Sequence, residues 1–330
     1  MTAIPWRAAH GPGRARVAAV VLAALFSACR PGPPGALEPT HPDGAIVASP
    51  RLGERPYGAA ISQTGLVFVT RLDAATVSGA MLPDTVFTSA VAVRHVPTDV
   101  AFNRAGTRAF VTNQHSQQVG IVDVASGRQV DSLMFGGDPA RVLVSADDRS
   151  LFVTINTGEL FRIDLATRAV TVRLRFPDLA NGLALGRRGD LLYASTIEGT
   201  VAEITTATNT ARRTFRIGGK LQGLAVSPDG TEMFIADETG GRLIVWSLAR
   251  ERALDTVPLE GAPFDVRITP DGTLVYVSVR TAGQVMVFDR ASRKHVATIL
   301  TGGDPRRIAF DPAGGLAVVA NQAGWVDFVR

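Results

Sequence analysis

One period constrains this chain more than any other feature. Gly65, Gly106, Gly189, Gly230, Gly272 and Gly314, with Asp148 in the equivalent place of the third unit, follow one another at intervals of 41 or 42 residues. Nine residues before each stands Pro56, Pro97, Pro139, Ala180, Leu221, Pro263 or Pro305. Two registers therefore agree over seven units. Short apolar runs separated by turns, repeating every 40 to 45 residues, are what one four-stranded blade per repeat requires. The predicted class is all-β: a seven-bladed β-propeller of four-stranded antiparallel blades over residues 45–330. The 33 glycines and 19 prolines are spread along the chain, as many tight turns demand.

The sixth unit shows the strands most clearly. Residues 265–269 alternate as an inner strand, and Pro270-Asp271-Gly272 supplies a hairpin turn. Residues 274–278, 284–288 and 294–300 follow as the second, third and outer strands. Asp123, Asp164 and Asp289 end third strands and are followed by Ser or Thr within three residues, which predicts a cap on the next turn. The seventh unit stops after its third strand, residues 324–329. Val47 precedes Pro56 by nine residues, as Val296 precedes Pro305. The segment from Ile46 to Gly53 is thus expected to complete the last blade and remove its exposed edge.

The first 44 residues differ in character. Arg7, Arg14 and Arg16 precede an apolar run from Val17 to Phe26 that ends in Ser27-Ala28-Cys29, the pattern of a secretory signal peptide over 1–28. The run is too short to span a bilayer of roughly 30 Å. Phe26-Ser27-Ala28-Cys29 resembles a bacterial lipobox, which implies lipidation at Cys29, although Phe26 stands where leucine is usual. With Arg30 after the cysteine, the resemblance to Gram-negative sorting implies the outer membrane. Residues 29–44 hold five prolines and read as a stiff tether. Cys29 is the single cysteine, which excludes an internal disulfide or a thiolate metal site.

The pI of about 9.8 suggests nucleic acid until the charge is located. Arg7, Arg14, Arg16 and Arg30 outnumber Glu38 and Asp43 by two, so about half of the formal +4 belongs to the leader and tether. The remainder is close to neutral and carries only 6% aromatics, which argues against a nucleic-acid groove.

Phe110-Val111-Thr112-Asn113 is one substitution from the tetrapeptide YVTN, and residues 152–155, 193–196, 234–237, 276–279 and 318–321 are related forms. Residues 119–123 also resemble the third strand of that repeat. Over residues 45–330 the chain resembles the YVTN-repeat β-propeller family. That resemblance implies the fold and leaves function open, since similar propellers occur as exported proteins, surface-layer modules, lactonases, and haem-d1 and copper reductases. Trp246 and Trp325 lie outside Trp-Asp pairs, and no Cys-x-x-Cys-His occurs.

Propeller ligands usually sit at a channel mouth, where the loops entering the inner strands meet those joining second to third strands. Two residues after each repeat proline or its equivalent stand Gly58, Asp99, Arg141, Gly182, Gly223, Asp265 and Arg307, predicted to ring that mouth. Asp99 with Arg141, and Asp265 with Arg307, come from neighbouring blades and are expected to pair across them. As surface pairs they would add on the order of 0–1 kcal/mol. Asn113 and Asn321 join them as candidate ligand-binding rim residues. Catalysis has only scattered candidates in His115, Glu198 and Asp237, while His95 and His295 are expected on the outer rim. No spacing gathers metal ligands, and no phosphate loop calls for a nucleotide cofactor.

The expected function is a non-enzymatic binding or scaffold module of the cell envelope, exported and held to the membrane only by its lipid, monomeric, with an envelope protein or small ligand at the channel mouth. The alternative is a hydrolase or lyase of the lactonase-like type. No cofactor is expected.

Overall fold

The computed structural model describes residues 44–330 except Arg187 and Asn209; the expected signal peptide, Cys29 and nearly all of the tether lie outside them. Among the described residues the strands form seven four-stranded antiparallel sheets, one per repeat. The first six blades run inner to outer in chain order. In the sixth these strands are Pro263–Ile268, Leu274–Val279, Gln284–Asp289 and His295–Leu300, within two residues of the sequence reading. The chain is a seven-bladed β-propeller.

Both registers have a structural cause. Each repeat proline or its substitute opens an inner strand, where its missing N–H costs little. Each turn glycine adopts a positive φ, such as 77° at Gly272, and Asp148 does so without glycine at 57°. Asp148 is one of the residue types that tolerate this region, and its carboxylate accepts the Arg104 N–H at 2.8 and 3.0 Å. The expected turn caps also form. Asp123 accepts from the Ser126 N–H at 2.8 Å, Asp164 from Thr167 at 2.7 Å and Asp289 from Ser292 at 2.7 Å. Hydrogen bonds of this kind hold all three carboxyls below their ordinary range.

The core is distributed around the ring. Second strands are almost wholly buried, as in Ser150–Ile155, while outer strands such as Val170–Arg175 remain largely exposed. Among the described residues seven apolar clusters fill the seven gaps between successive blades. One joins Phe110 and Ile121 to Leu151 and Val153; another joins Val67 and Val69 of the first blade to Val318 and Phe328 of the last. The N-terminal strand Ile46–Ala48 completes the seventh blade by pairing with Trp325–Val329. Ala45 and Arg330 exchange backbone hydrogen bonds of 2.9 and 2.8 Å, and Leu52 and Gly53 both donate to the Gly324 carbonyl at 2.9 Å. Ser49 Oγ adds a bond of 2.5 Å to Asp327.

Candidate functional site

The third residue of each inner strand faces the neighbouring blade near the axis. Asp99 accepts from Arg141 Nη1 at 3.2 Å and from the Val142 N–H at 3.0 Å. Asp265 repeats this with Arg307 Nη1 at 3.1 Å and the Ile308 N–H at 3.0 Å. The pairing across blades is therefore present, but its setting differs from the expected surface mouth. Asp99, Arg141, Asp265 and Arg307 are 4%, 6%, 1% and 3% exposed. The inner strands converge so closely at this level that the pairs are almost wholly buried in the wall of the channel, with only an edge of Asp99 and Arg141 reaching its lumen. A buried pair is governed by desolvation, so the surface magnitude does not apply and loss of one partner is costly.

A fifth charge belongs to this layer. Arg267, two residues after Asp265 and hence on the same side of the strand, donates from Nε to Asp265 at 3.1 Å. Burial alone would raise the Asp265 carboxyl; the guanidiniums of Arg267, Arg307 and Arg141 and the Ile308 N–H more than offset it, holding the group at about 2. Arg141 is pushed down to about 10 by burial and by Arg307, against the pull of Asp99 and Asp265.

One residue earlier in the strands, a second layer caps the first. The Arg306 guanidinium carbon lies 4.8 Å from the Phe264 ring centre and 5.2 Å from that of Tyr57, while Arg307 lies 4.6 Å from Phe264. Tyr57 and Phe264 meet edge to face at 5.8 Å. Outside this cluster runs a polar chain over blades 4 to 7. Arg306 Nη2 donates to Asp304 at 2.8 Å, and Arg280 donates to Asp304 at 3.0 Å and Glu238 at 2.9 Å. Glu238 also accepts from Lys220 at 2.8 Å and Gln222 at 2.5 Å, and Asn181 donates to Gln222 at 2.6 Å. Burial would raise the Glu238 carboxyl, but Lys220, Gln222 and Arg280 bring it below its ordinary value. The sequence reading passed over Tyr57, Phe264 and Arg306, although the same register would have located them one residue after each proline.

The remaining sequence candidates fall into two groups. Asn113, Asp237 and Asn321 end second strands, are fully buried, and turn inward to their own loops. Asn113 accepts the Arg94 N–H at 3.2 Å, Asp237 the Lys220 N–H at 3.1 Å, and Asn321 the Asp304 N–H at 2.9 Å. Asp237 is further bound by Arg242 Nε at 2.7 Å. These three side chains hold the loops that enter the inner strands. His115 and Glu198 are exposed on the loops between second and third strands of blades 2 and 4. His295 is exposed on an outer strand, but His95 lies beyond its outer strand (Ser89–Ala92), in the loop entering blade 2. The outer strand of blade 1 is only four residues long, and the His95 N–H donates to Ser116 Oγ at 3.1 Å, beside His115. Among the described residues no hydrogen bond or ion pair links His115, Glu198 and Asp237, and no three His, Cys, Asp or Glu side chains are grouped as metal ligands.

The family model "Lactonase, 7-bladed beta-propeller" matches residues 223–325, from the inner strand of blade 5 to the third strand of blade 7. Among solved structures, hydrazine synthase of Kuenenia stuttgartiensis superimposes with a TM-score of 0.78 at 18% sequence identity, covering 87% of this chain and 98% of that one. No curated protein matches. Both likenesses support the seven-bladed fold. At this identity the second speaks of fold alone.

Proposed function

We propose that this protein is an exported envelope propeller that binds a partner on the face where the loops entering the inner strands meet those between second and third strands. The carrying observation is Arg306. It is 8% exposed, seated against Tyr57 and Phe264, and its buried Nε has no partner among the described residues. An arginine between aromatic rings, rimmed by the charged groups of Arg280, Glu238, Asp304 and Lys220, has the composition of an interface hot spot. The partner that fits is an envelope protein presenting a hydrogen-bond acceptor to that guanidinium. Capture from envelope extracts by the wild-type protein, lost with Arg306→Ala at an unchanged melting temperature, is the expected result. Equal capture by both proteins refutes this face as the site.

Export and anchoring are part of the same proposal and rest on the leader and Cys29. Palmitate labelling abolished by Cys29→Ser, with precursor accumulating under globomycin, is expected. An unlabelled wild-type protein removes the lipid anchor.

Hydrolase or lyase chemistry of the lactonase type is the second reading, favoured by the family match over residues 223–325. Glu238 and Asp304 are the acids of that segment within the mouth network; Glu238 bridges Lys220 and Arg280, and its depressed pKa makes it a weak general base. Turnover of any substrate in a panel of lactones, lost in Glu238→Gln, would favour this reading over simple binding.

A further inference from the structure

The opposite end of the channel is built differently. In all seven inner strands the last two residues are half-buried, whereas the residues just before them are buried, so the channel widens toward the turns between inner and second strands. The resulting cavity of about 410 Å³ is lined by Asp99, Arg141 and Arg267 within an apolar collar that includes Ala60, Leu143 and Ala309. Its size is that of a small-molecule site.

The charge within is unbalanced. Three guanidiniums, Arg141, Arg267 and Arg307, face two carboxylates, Asp99 and Asp265, leaving a surplus of one positive charge in the channel. Both carboxylates are already committed to guanidinium and backbone N–H donors. Among the described residues the buried Nε atoms of Arg141 and Arg307 have no partner. An uncompensated buried cation and unsatisfied buried donors are both costly. The side chain of Arg267 is nevertheless 34% exposed, so it is reached from the lumen. Arg267 is also the single charged member of its ring: the equivalent residues are Ala60, Ala101, Leu143, Ala184, Ala225 and Ala309.

We propose that the channel binds a small monoanionic carboxylate, entering from the side of the inner-to-second-strand turns, with Arg267 and Arg141 holding the carboxylate and the alanine- and leucine-lined collar holding a compact apolar group. A single negative charge cancels the surplus, and arginine matches a planar carboxylate better than a spherical ion. A dianion would overshoot the single surplus positive charge.

Calorimetric titration of the mature protein with benzoate and butyrate, using benzamide and butyramide as neutral isosteres, tests this. One-to-one binding of the acids but not the amides is expected. Arg267→Gln, which leaves both inter-blade pairs in place, should weaken binding at least about tenfold; because it also removes a bond to Asp265 and lowers the melting temperature, the titration is run where circular dichroism shows both proteins fully folded. Arg141→Met risks misfolding and is therefore not the deciding variant. Absence of acid binding at millimolar concentration, equal binding by Arg267→Gln, or equal binding of chloride and phosphate (an adventitious ion only) would each overturn the proposal.

Discussion

Blades 1–3 and blades 5–7 carry the same triplet on their inner strands: Gly58, Asp99 and Arg141 in one half, Gly223, Asp265 and Arg307 in the other. In each half the glycine admits the backbone of the next blade. A Cβ on Gly58 would stand 2.8 Å from the Thr98 carbonyl oxygen, and one on Gly223 would stand 2.8 Å from the Phe264 carbonyl oxygen. The aspartate then bridges to the arginine and to an N–H of the following strand, at distances equal to within 0.1 Å. Beyond the triplet the halves diverge. Ala101 stands where the second half has Arg267, and Thr98 and Ala140 stand where it has Phe264 and Arg306. The first half shows that the wall closes without these added groups. The added charge and aromatic surface are therefore the part of the channel to examine for function.

Arg141→Met should have the largest effect. It leaves Asp99 buried with one backbone donor, and a loss of about 3–5 kcal/mol is expected. Arg307→Met leaves Asp265 with Arg267 as well as Ile308, so the loss should be smaller, roughly 1–3 kcal/mol. Urea unfolding of the two variants measures the difference, and equal losses would mean that Arg267 does not support Asp265. The acid limb sharpens the same point. Asp265 titrates near 2 when folded and near 3.9 when unfolded, so its contribution is complete above the unfolded value and is lost as pH falls through the folded one. That contribution is about 2–3 kcal/mol. Stability measured between pH 5 and 2 should fall less steeply in Asp265→Asn than in wild type; parallel profiles would remove the arginine cage as the cause. Most symmetric between the halves are Gly58→Ala and Gly223→Ala, each expected to cost about 1–3 kcal/mol through backbone crowding. A neutral result in one half alone would show that its strands can part.

Much of the wall was legible because a repeat reports position as well as residue type. Asp99 could be matched to Arg141, and Asp265 to Arg307, from their shared offset after the repeat proline, and Asp148 could be placed at a left-handed turn by its register. Burial of those pairs was not legible, because it depends on how far seven twisted strands converge at one level. Arg267 escaped notice for a related reason: its offset marks the level where the channel widens, which no local pattern announces. Asn113, Asp237 and Asn321 looked like ligand groups from polarity and position. Their partners are N–H groups 17 to 19 residues upstream in chain order, and sequence names the acceptor without showing which donor will reach it.

The closing strand of blade 7 has a mechanical consequence. Tension arriving through Gly44 would reach the perimeter of the ring and meet the backbone bonds of residues 44–53 in succession, starting with those between Gly44, Ala45 and Arg330. Such a seam peels rather than shears, so the first event under load is the unlatching of one outer strand. The axis of the molecule, with Phe264 and Arg306 at one end and Arg267 at the other, would feel that load last.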